Sequence, residues 1–250
     1  MHLAGQTVLV TGATGAIGRA ICLALAADGA RVLIHYGRNR DAAEAILREI
    51  GGQGAVLAAD LADPAGPGSL WAQAEAAAGR ITGLVNNAGI RSEVAVDAPM
   101  DLWQATWARE FRVNFLSAAD LTKCAITHFR AHGGGRIVNM ASRAGQRGYA
   151  SNAMAYGASK AALINLTKSV AQSHGAEGIT AVALAPGWVR TEMAEAFIAR
   201  HGEAAALAGI PIGRMAAPEE IGELTSFLFR PSQQSLNGAV LDVNGGSYLR

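Results

Sequence analysis

A glycine-rich turn near the start of the chain constrains the fold more than any other feature. The turn, Thr11–Gly18, follows the apolar run Thr7–Val10, whose β-branched residues predict a short buried strand. The residues from Ala20 to Ala27 favour a helix that stops at Asp28–Gly29. Glycine lets a backbone approach a pyrophosphate, and the N-terminus of the following helix attracts its negative charge. The segment therefore predicts the opening of a dinucleotide-binding βαβ unit.

The spacing of these glycines is more informative than their number. Gly12 and Gly18 with a small residue at Ala16 resemble T-G-x-x-x-G-x-G, the cofactor signature of the short-chain dehydrogenase/reductase family, in which position 16 is normally glycine. Because 30 of the 250 residues are glycine, a plain turn is the alternative. The resemblance implies that the turn binds a dinucleotide through Gly12, Thr14, Gly15, Ile17 and Gly18.

The end of the second predicted strand, Arg31–Ile34, indicates which dinucleotide is bound. Tyr36 stands where the family usually has an acidic residue that bonds the ribose of NAD, and Arg38 follows two positions later. A guanidinium can bind the 2′-phosphate of NADP in bidentate fashion, whereas a carboxylate would repel it. We therefore expect NADP(H) to be favoured over NAD(H). The alternative is that Arg38 and Arg40 lie on a solvated loop, and the basic residue that some NADP-dependent members carry in the glycine turn is replaced by Gly15.

The third predicted strand, Ala55–Ala58, leads to Asp60 and Leu61. Asp60 could cap the next turn by itself. The resemblance implies instead that Asp60 and Leu61 flank the adenine ring of the cofactor.

The fourth predicted strand, Ile81–Val85, runs into Asn86-Asn87-Ala88-Gly89. A polar pair at the carboxyl end of a central strand lies where such sheets bind ligands. The four residues match the Asn-Asn-Ala-Gly motif of the short-chain family without a change. Residues 5–247 as a whole resemble this family, most closely its 3-oxoacyl-(acyl-carrier-protein) reductase-like branch, and the resemblance implies cofactor contacts for Asn87, Ala88 and Gly89.

A tyrosine and a lysine one helical turn apart indicate the chemistry. Tyr156 and Lys160 lie beside an apolar stripe of a long predicted helix, and Ser142 follows the fifth predicted strand, Arg136–Met140. Hydride transfer between nicotinamide and a carbonyl carbon also requires a proton to move to or from the oxygen. We expect the Tyr156 phenol to be this acid/base, with its pKa lowered from about 10 by the Lys160 ammonium. Ser142 would hold the carbonyl oxygen, and Lys160 could also bond the nicotinamide ribose.

Asn114 is the polar member of an apolar stripe on a helix predicted from about Asp101 to Ala131. An amide there must find hydrogen-bond partners or cost ~1–3 kcal/mol, so a satisfied core asparagine is one interpretation. The resemblance implies the other, that Asn114 holds the water of a proton relay and is catalytic.

Other classes of function are disfavoured. The net charge of +1 provides no basic field for nucleic acid and no polybasic membrane anchor, and no apolar run approaches the ~20 residues of a spanning helix. His128 and His132 lack a third ligand, so we expect solvated histidines and no metal site. Cys22 and Cys124 lie in apolar helical surroundings, which predicts free buried thiols in a reducing cytoplasm.

The last third of the chain also resembles the family. After the sixth predicted strand, Ile179–Leu184, a segment resembles Pro-Gly-x-x-x-Thr, and its residues Pro186, Gly187, Val189 and Thr191 are implied to line the nicotinamide. Residues of about 190–213 are expected to form a mobile lid over the substrate. The final helix and strand commonly build a tetramer interface in relatives, so the resemblance implies a homotetramer.

Together these features predict one α/β domain over residues 1–250, a Rossmann-like doubly wound parallel sheet of about seven strands flanked by helices. The expected activity is NADP(H)-dependent reduction of a ketone or 3-oxoacyl carbonyl in a small molecule. A dehydrogenase of sugars or other secondary alcohols is the alternative. A non-catalytic dinucleotide-binding regulator would be expected to lose Ser142, Tyr156 or Lys160, and all three are present. Gln172 stands where carrier-protein reductases often have a basic residue, which weakens that substrate assignment.

Overall fold

One parallel sheet organises the protein, which is seen here as a computed structural model that describes all 250 residues. Its strands are β1 (Thr7–Val10), β2 (Arg31–Tyr36), β3 (Gly54–Ala58), β4 (Gly83–Asn86), β5 (Gly135–Met140), β6 (Ile179–Pro186) and β7 (Val240–Val243). They form a seven-stranded sheet in the order β3-β2-β1-β4-β5-β6-β7, with every neighbouring pair parallel. The predicted fold class is confirmed.

Helices cover both faces of this sheet. They are α1 (Ala16–Ala27), α2 (Arg40–Glu49), α3 (Gly66–Ala78), α4 (Met100–Phe111), α5 (Ser117–Ala131), α6 (Ala144–Arg147), α7 (Met154–His174), α8 (Glu192–His201), α9 (Glu203–Leu207) and α10 (Pro218–Phe229). Apolar residues of α1, α2 and α10 share one hydrophobic core, and those of α3, α5 and α7 share another. No helix is both long and apolar enough to cross a membrane.

The strands supply both cores by alternation, because successive side chains of a strand point to opposite faces. In β1, Val8 and Val10 belong to the core under α1, whereas Leu9 belongs to the core under α5. All four residues of β1 are buried, which is the expected state of a central parallel strand.

The position of the site follows from the strand order. β1 pairs with β2 on one side and with β4 on the other, so Val10 lies opposite both Ile34 and Val85. Successive strands are added on one side of β1 up to β3 and on its other side from β4 onward, and the carboxyl ends of β1 and β4 flank a crevice at this switch. The glycine turn after β1 and Asn87-Ala88-Gly89 after β4 are therefore neighbours.

The helix predicted from Asp101 to Ala131 is not continuous. A π-helical turn, Arg112–Leu116, separates α4 from α5, and buried Asn114 lies at its centre. The Asn114 amide forms two hydrogen bonds with the backbone of Ile90 outside the helix, at 2.7 Å and 2.9 Å. A single-turn π insertion of this kind re-aims a side chain without ending the helix, and such insertions are frequent at functional sites.

The prediction that His128 is solvated is wrong. His128 is buried, its Nε2 accepts the Ile81 backbone N–H at 3.0 Å, and its Nδ1 donates to Glu75 at 2.7 Å. It thus anchors the segment before β4, and the apolar periodicity of α5 gave no sign of this polar contact. His132 stacks on it with ring centroids 4.0 Å apart. Both cysteines are free, but only Cys22 is buried and Cys124 is partly exposed.

Candidate active site

The glycine turn leaves the start of α1 open. Gly15 is the N-cap residue and provides no capping side chain, and the first turn of α1 contains no acidic residue. The backbone N–H groups at this helix start therefore have no anionic side chain nearby, which suits a phosphate. Thr14 and Ile17 are half-buried beside them.

Two glycines of the turn are required by close packing. Gly12 has φ of +60°, and a Cβ at this position would lie 2.8 Å from the Cα of Ala88. A Cβ at Gly18 would lie 2.3 Å from the Gly12 carbonyl oxygen. Gly15 differs, because its nearest neighbour would be 3.7 Å away. Gly12 and Gly18 thus shape the turn, whereas Gly15 borders open space.

His35, at the end of β2, supports the turn and was not predicted as a site residue. Its Nδ1 accepts the Gly12 backbone N–H at 3.0 Å, and its Nε2 donates to the carbonyl of Ala59 at 3.1 Å. These two bonds require the neutral imidazole, and burial lowers the pKa of His35. The sequence signal was a histidine in an otherwise apolar strand next to the turn.

Thr11 joins the turn to the end of β4. Its hydroxyl donates to the Val85 carbonyl at 3.2 Å and accepts the backbone N–H groups of Asn87 and Ala88 at 2.9 Å and 3.0 Å. The Asn87 side chain donates back to the carbonyl oxygens of Thr11 and Gly12. The two motifs of the sequence analysis therefore form one hydrogen-bonded unit, in which Asn87 serves the turn rather than facing open space.

Arg38 and Asp60 lie at the tips of β2 and β3. Arg38 is exposed and forms no ion pair or hydrogen bond within the chain, whereas Arg40 is paired with Glu44 at 2.7 Å. Arg38 is thus free to bind a phosphate. Asp60 accepts the backbone N–H of Ala62 at 2.9 Å, which is the capping role considered as the alternative. Leu61 beside it is buried.

The catalytic candidates Ser142, Tyr156 and Lys160 meet at the carboxyl end of β5. Ser142 is buried, its Oγ accepts the Ala144 backbone N–H at 3.1 Å, and it lies close enough to the Tyr156 phenol to lower the pKa of that group. The Lys160 ammonium lies 5.8 Å from the centroid of the Tyr156 ring and donates to the Met140 carbonyl at 2.8 Å. The predicted constellation is assembled, and the roles of its members stay predictions.

Close packing of α6 on α7 fixes this arrangement. A Cβ at Gly145 would lie 2.6 Å from the backbone of both Lys160 and Ala161. The short helix that follows Ser142 therefore rests directly on the helix that carries Tyr156, and the distance between the two hydroxyl groups is set by backbone contact.

The electrostatics of Tyr156 differ from the prediction. Desolvation of the phenol raises the pKa of Tyr156 to about 12, and the nearby Ser142 hydroxyl offsets only part of this increase. Burial also lowers the pKa of Lys160 to about 8. The expectation of a low Tyr156 pKa is therefore wrong for the protein chain by itself, because desolvation of the buried phenol outweighs the favourable contributions around it. Tyr156 therefore holds its proton at neutral pH.

Asn114 lies behind these residues in a polar cluster. Its Nδ2 donates to the Ser159 hydroxyl at 3.1 Å and to the Glu110 carboxylate at 3.2 Å. A Cβ at Gly89 would lie 3.2 Å from the Lys160 Nζ and 3.3 Å from the Asn114 Oδ1, so both atoms border the same point. Glu110 was not predicted as part of the site, because a glutamate on a surface helix normally faces solvent.

The remaining predicted cofactor contacts follow β6. Pro186 and Val189 are buried, and Gly187 donates its backbone N–H to the Val243 carbonyl at 2.9 Å. Thr191 is the N-cap of α8, where its hydroxyl accepts the Ala194 N–H at 3.4 Å. The segment then forms α8 and α9 with a break at Gly202, over a small apolar cluster of its own: Ala194, Ala206, Ile210 and Met215.

An aromatic side chain and an arginine form one wall of the space in front of Tyr156. The Tyr149 ring lies 5.5 Å from the Tyr156 ring, between centroids, and the Arg91 guanidinium carbon lies 5.5 Å above the Tyr149 ring. Arg91 is held by Glu93 at 2.7 Å. Arg147, two residues before Tyr149, is exposed.

The comparisons with known proteins agree with this geometry. The family profile described as enoyl-(acyl-carrier-protein) reductase matches residues 12–248. The 3-oxoacyl-(acyl-carrier-protein) reductase of Escherichia coli is 34% identical over 249 residues, 100% of both chains. The cis-4-hydroxycyclohexanecarboxylate dehydrogenase of Sinomonas cyclohexanicum is 36% identical and covers 97% of this chain and 96% of its own.

A solved structure is also similar to this chain. It is that of an NAD(P)-dependent gluconate 5-dehydrogenase candidate from Beutenbergia cavernae with NADP bound at low occupancy. It is 38% identical, superposes with a TM-score of 0.89, and the match covers 98% of this chain and 97% of that one. The chain therefore belongs to the short-chain dehydrogenase/reductase family and is an oxidoreductase.

Proposed function

We propose that the protein catalyses the reversible, NADP(H)-dependent reduction of a carbonyl group to a secondary alcohol. The observation that carries the proposal is the convergence of buried Ser142, Tyr156 and Lys160 at the edge of the sheet that also holds the glycine turn. This places a proton donor and a second hydroxyl group where a carbonyl oxygen could be bound.

The chain is suited to hold NADP(H). The uncapped start of α1 at Gly15 can receive the pyrophosphate, and the unpaired Arg38 can receive a 2′-phosphate. The NADP in the Beutenbergia structure supports this choice of cofactor. When bound, the nicotinamide supplies or accepts the hydride. Lys160 has N–H groups beyond the one given to Met140, and these can bond the ribose.

The side chains of the protein donate and accept the proton that accompanies hydride transfer. Tyr156 is protonated at neutral pH because its pKa is about 12, so it can donate from Oη to a carbonyl oxygen that gains negative charge. Ser142 donates a hydrogen bond to the same oxygen, and the nearby Lys160 ammonium stabilises the phenolate that remains. Asn114 borders the same point beside Gly89 as the Lys160 Nζ and is hydrogen-bonded to Glu110 and Ser159 behind it, and in this position it supports return of the proton.

The substrate class has two candidates. The Escherichia coli relative favours a 3-oxoacyl or other ketone, whereas the Sinomonas and Beutenbergia relatives favour oxidation of a hydroxyl group on a carboxylate-bearing ring or sugar acid.

Five further proposals concern the chain as a whole. Residues 1–250 form one domain, and residues of about 190–213, which have a small core of their own, form the lid. The free cysteines support a reducing, cytoplasmic location. The balanced charge supports a small molecule rather than nucleic acid or a membrane as partner.

A homotetramer is supported by α4, whose aromatic side chains Trp103, Trp107 and Phe111 are only half-buried.

Purified protein mixed with NADPH and a panel of ketones tests the activity. We expect loss of the reduced-nicotinamide absorbance with at least one ketone, slower consumption of NADH, and no consumption by Tyr156→Phe. Tight NADPH binding without turnover of any ketone would favour the non-catalytic regulator instead.

A further inference from the structure

Glu110 is a fully buried carboxylate for which the proposed reaction has no role. It is 0% exposed and is the one buried residue of α4, a helix otherwise at the surface. Its Oε2 accepts the Ser92 backbone N–H at 3.0 Å, and its Oε1 accepts the Asn114 Nδ2 at 3.2 Å. A buried acid requires a physical reason, because burying a charge is costly unless it is compensated.

The partners of Glu110 indicate its charge. Both partners are N–H donors, and an ionised carboxylate accepts at both oxygens. A protonated Glu110 would set its own O–H donor against one of these N–H donors. A glutamine at this position would do the same with its NH₂ group. The hydrogen bonds therefore fit the carboxylate form, which leaves a negative charge inside the protein.

The compensating charge is Lys160. No arginine or lysine nitrogen lies within 4.0 Å of the Glu110 carboxylate. Asn114 stands between the two charges, since its Nδ2 contacts Glu110 while its Oδ1 and the Lys160 Nζ border the same point beside Gly89. Lys160 is itself 4% exposed, so each charge lacks water and needs the other.

We propose that Glu110 is a positioning residue of the active site, a buried anion that acts through Asn114 as the counter-ion of Lys160 and keeps that lysine in its ammonium form. The proposal rests on the proposed function, because the ammonium matters for turnover only if Tyr156 becomes a phenolate. Burial lowers the pKa of Lys160 to about 8, and the negative charge of Glu110 opposes this decrease. The other titratable group that faces the charge of Glu110 is Tyr156 on α7, and Tyr156 is in turn faced by Arg91 on the loop after β4 and Tyr149 on the loop after α6.

The composition of the chain allows a direct test. Lys123, Lys160 and Lys168 are its three lysines, and Lys123 and Lys168 are exposed. Replacing both exposed lysines with arginine leaves Lys160 as the one lysine, and labelling with ¹³C at Cε then gives one lysine signal whose shift follows the ionisation of Lys160. This readout does not depend on catalysis.

In this background we expect E110Q to lower the titration midpoint of Lys160 by on the order of one pH unit from about 8. D101N removes a charge from the exposed end of the same helix and should leave the midpoint unchanged. An unchanged midpoint in folded E110Q, or an equal decrease in D101N, would overturn the proposal. Should E110Q not fold, E110D keeps the charge but withdraws it by one methylene, so the midpoint should fall by less; an unchanged midpoint there overturns the proposal as well.

The pH dependence of kcat/KM for ketone reduction provides the second readout. The alkaline limb should move to lower pH in E110Q and by a smaller but measurable amount in E110D, a graded shift that a loss of folding alone would not produce. A decreased Lys160 midpoint in a protein that reduces no ketone would refute the proposed function and leave the counter-ion in place. Active E110Q with an unmoved alkaline limb and an unmoved midpoint would refute the counter-ion.

Discussion

The imidazole of His35 accepts the backbone N–H of Gly12 at 3.0 Å, so the second strand supports the glycine turn that follows the first. The opposite ring nitrogen donates to Ala59 after β3. One buried side chain thus ties together the ends of three neighbouring strands, on the side of the crevice where the dinucleotide is proposed to lie.

Replacing His35 with leucine should therefore destabilise the protein. Leucine is of similar size and fits the apolar surroundings of β2, but it cannot bond the Gly12 N–H or the Ala59 carbonyl. Both groups are then left unpaired, at a cost of ~1–3 kcal/mol. Urea unfolding of His35→Leu measures this cost, and NADPH affinity should fall with it because the turn is no longer held. Arg38→Leu is the matched control, because it should weaken NADPH binding and leave the free energy of unfolding unchanged. Equal stability of His35→Leu and the natural protein would contradict this role.

The same residue should make stability depend on pH. The pKa of His35 is lowered in the folded protein, so below about 6.5 the unfolded chain binds a proton that the folded chain does not. The contribution is fully present above that pH and is lost as the pH falls toward the folded pKa. The free energy of unfolding should decrease between about pH 7 and pH 5, a range that includes the pKa of about 6.5 of a free histidine. The free energy of unfolding of His35→Leu should decrease less over the same range. Parallel curves for the two proteins would show that another group titrates.

Gly18 and Gly15 provide a matched pair within the turn. Gly18→Ala places a Cβ 2.3 Å from the Gly12 oxygen and 2.7 Å from the Cα of Ala13, both backbone atoms that cannot move aside cheaply. We expect a loss of about 1–3 kcal/mol or more. Gly15→Ala meets nothing closer than 3.7 Å and has a φ of −78°, so the cost should stay near the ~1 kcal/mol of a poorer N-cap. Thermal unfolding compares the two, and an equal loss would contradict the packing argument.

Removal of the Tyr156 hydroxyl should abolish proton donation while leaving the cofactor site intact. Tyr156→Phe is expected to lower kcat for ketone reduction by about 10²–10⁴-fold with little change in NADPH affinity. Ser142→Ala should lower it by roughly 10²–10³-fold, because one hydrogen bond to the developing oxyanion is lost. Stopped-flow single turnovers separate chemistry from binding. A Tyr156→Phe protein that retains its turnover rate would disprove the mechanism.

The sequence predicted the fold and the main side chains because their signals are local. The glycine turn, the Asn-Asn-Ala-Gly match, and the pairing of Tyr156 with Lys160 can each be read within a few neighbouring residues. His35, Glu110 and the π-helical turn could not be predicted in this way. His35 contacts Gly12 from 23 positions away, and Glu110 contacts Ser92 from 18 positions away. His35 interrupts the apolar run of β2, but a histidine in a strand or a glutamate in a helix does not show which distant partner it contacts. The π insertion at Asn114 depends on Ile90 outside the helix.

The surface of α4 makes the proposed assembly testable. Leu102 is 54% exposed, and it lies on a helix of which Glu110 alone is buried. If a second copy covers this face, Leu102→Glu places a carboxylate in an apolar contact and should shift the protein to a smaller species in light scattering. Met193→Glu in the proposed lid, where Met193 is 46% exposed, is a matched control because it adds the same charge at a similarly exposed apolar position. We expect this control to keep the mass of the natural protein. An unchanged mass for Leu102→Glu would mean that Leu102 is not buried between copies, since an uncompensated carboxylate within such a contact would cost several kcal/mol.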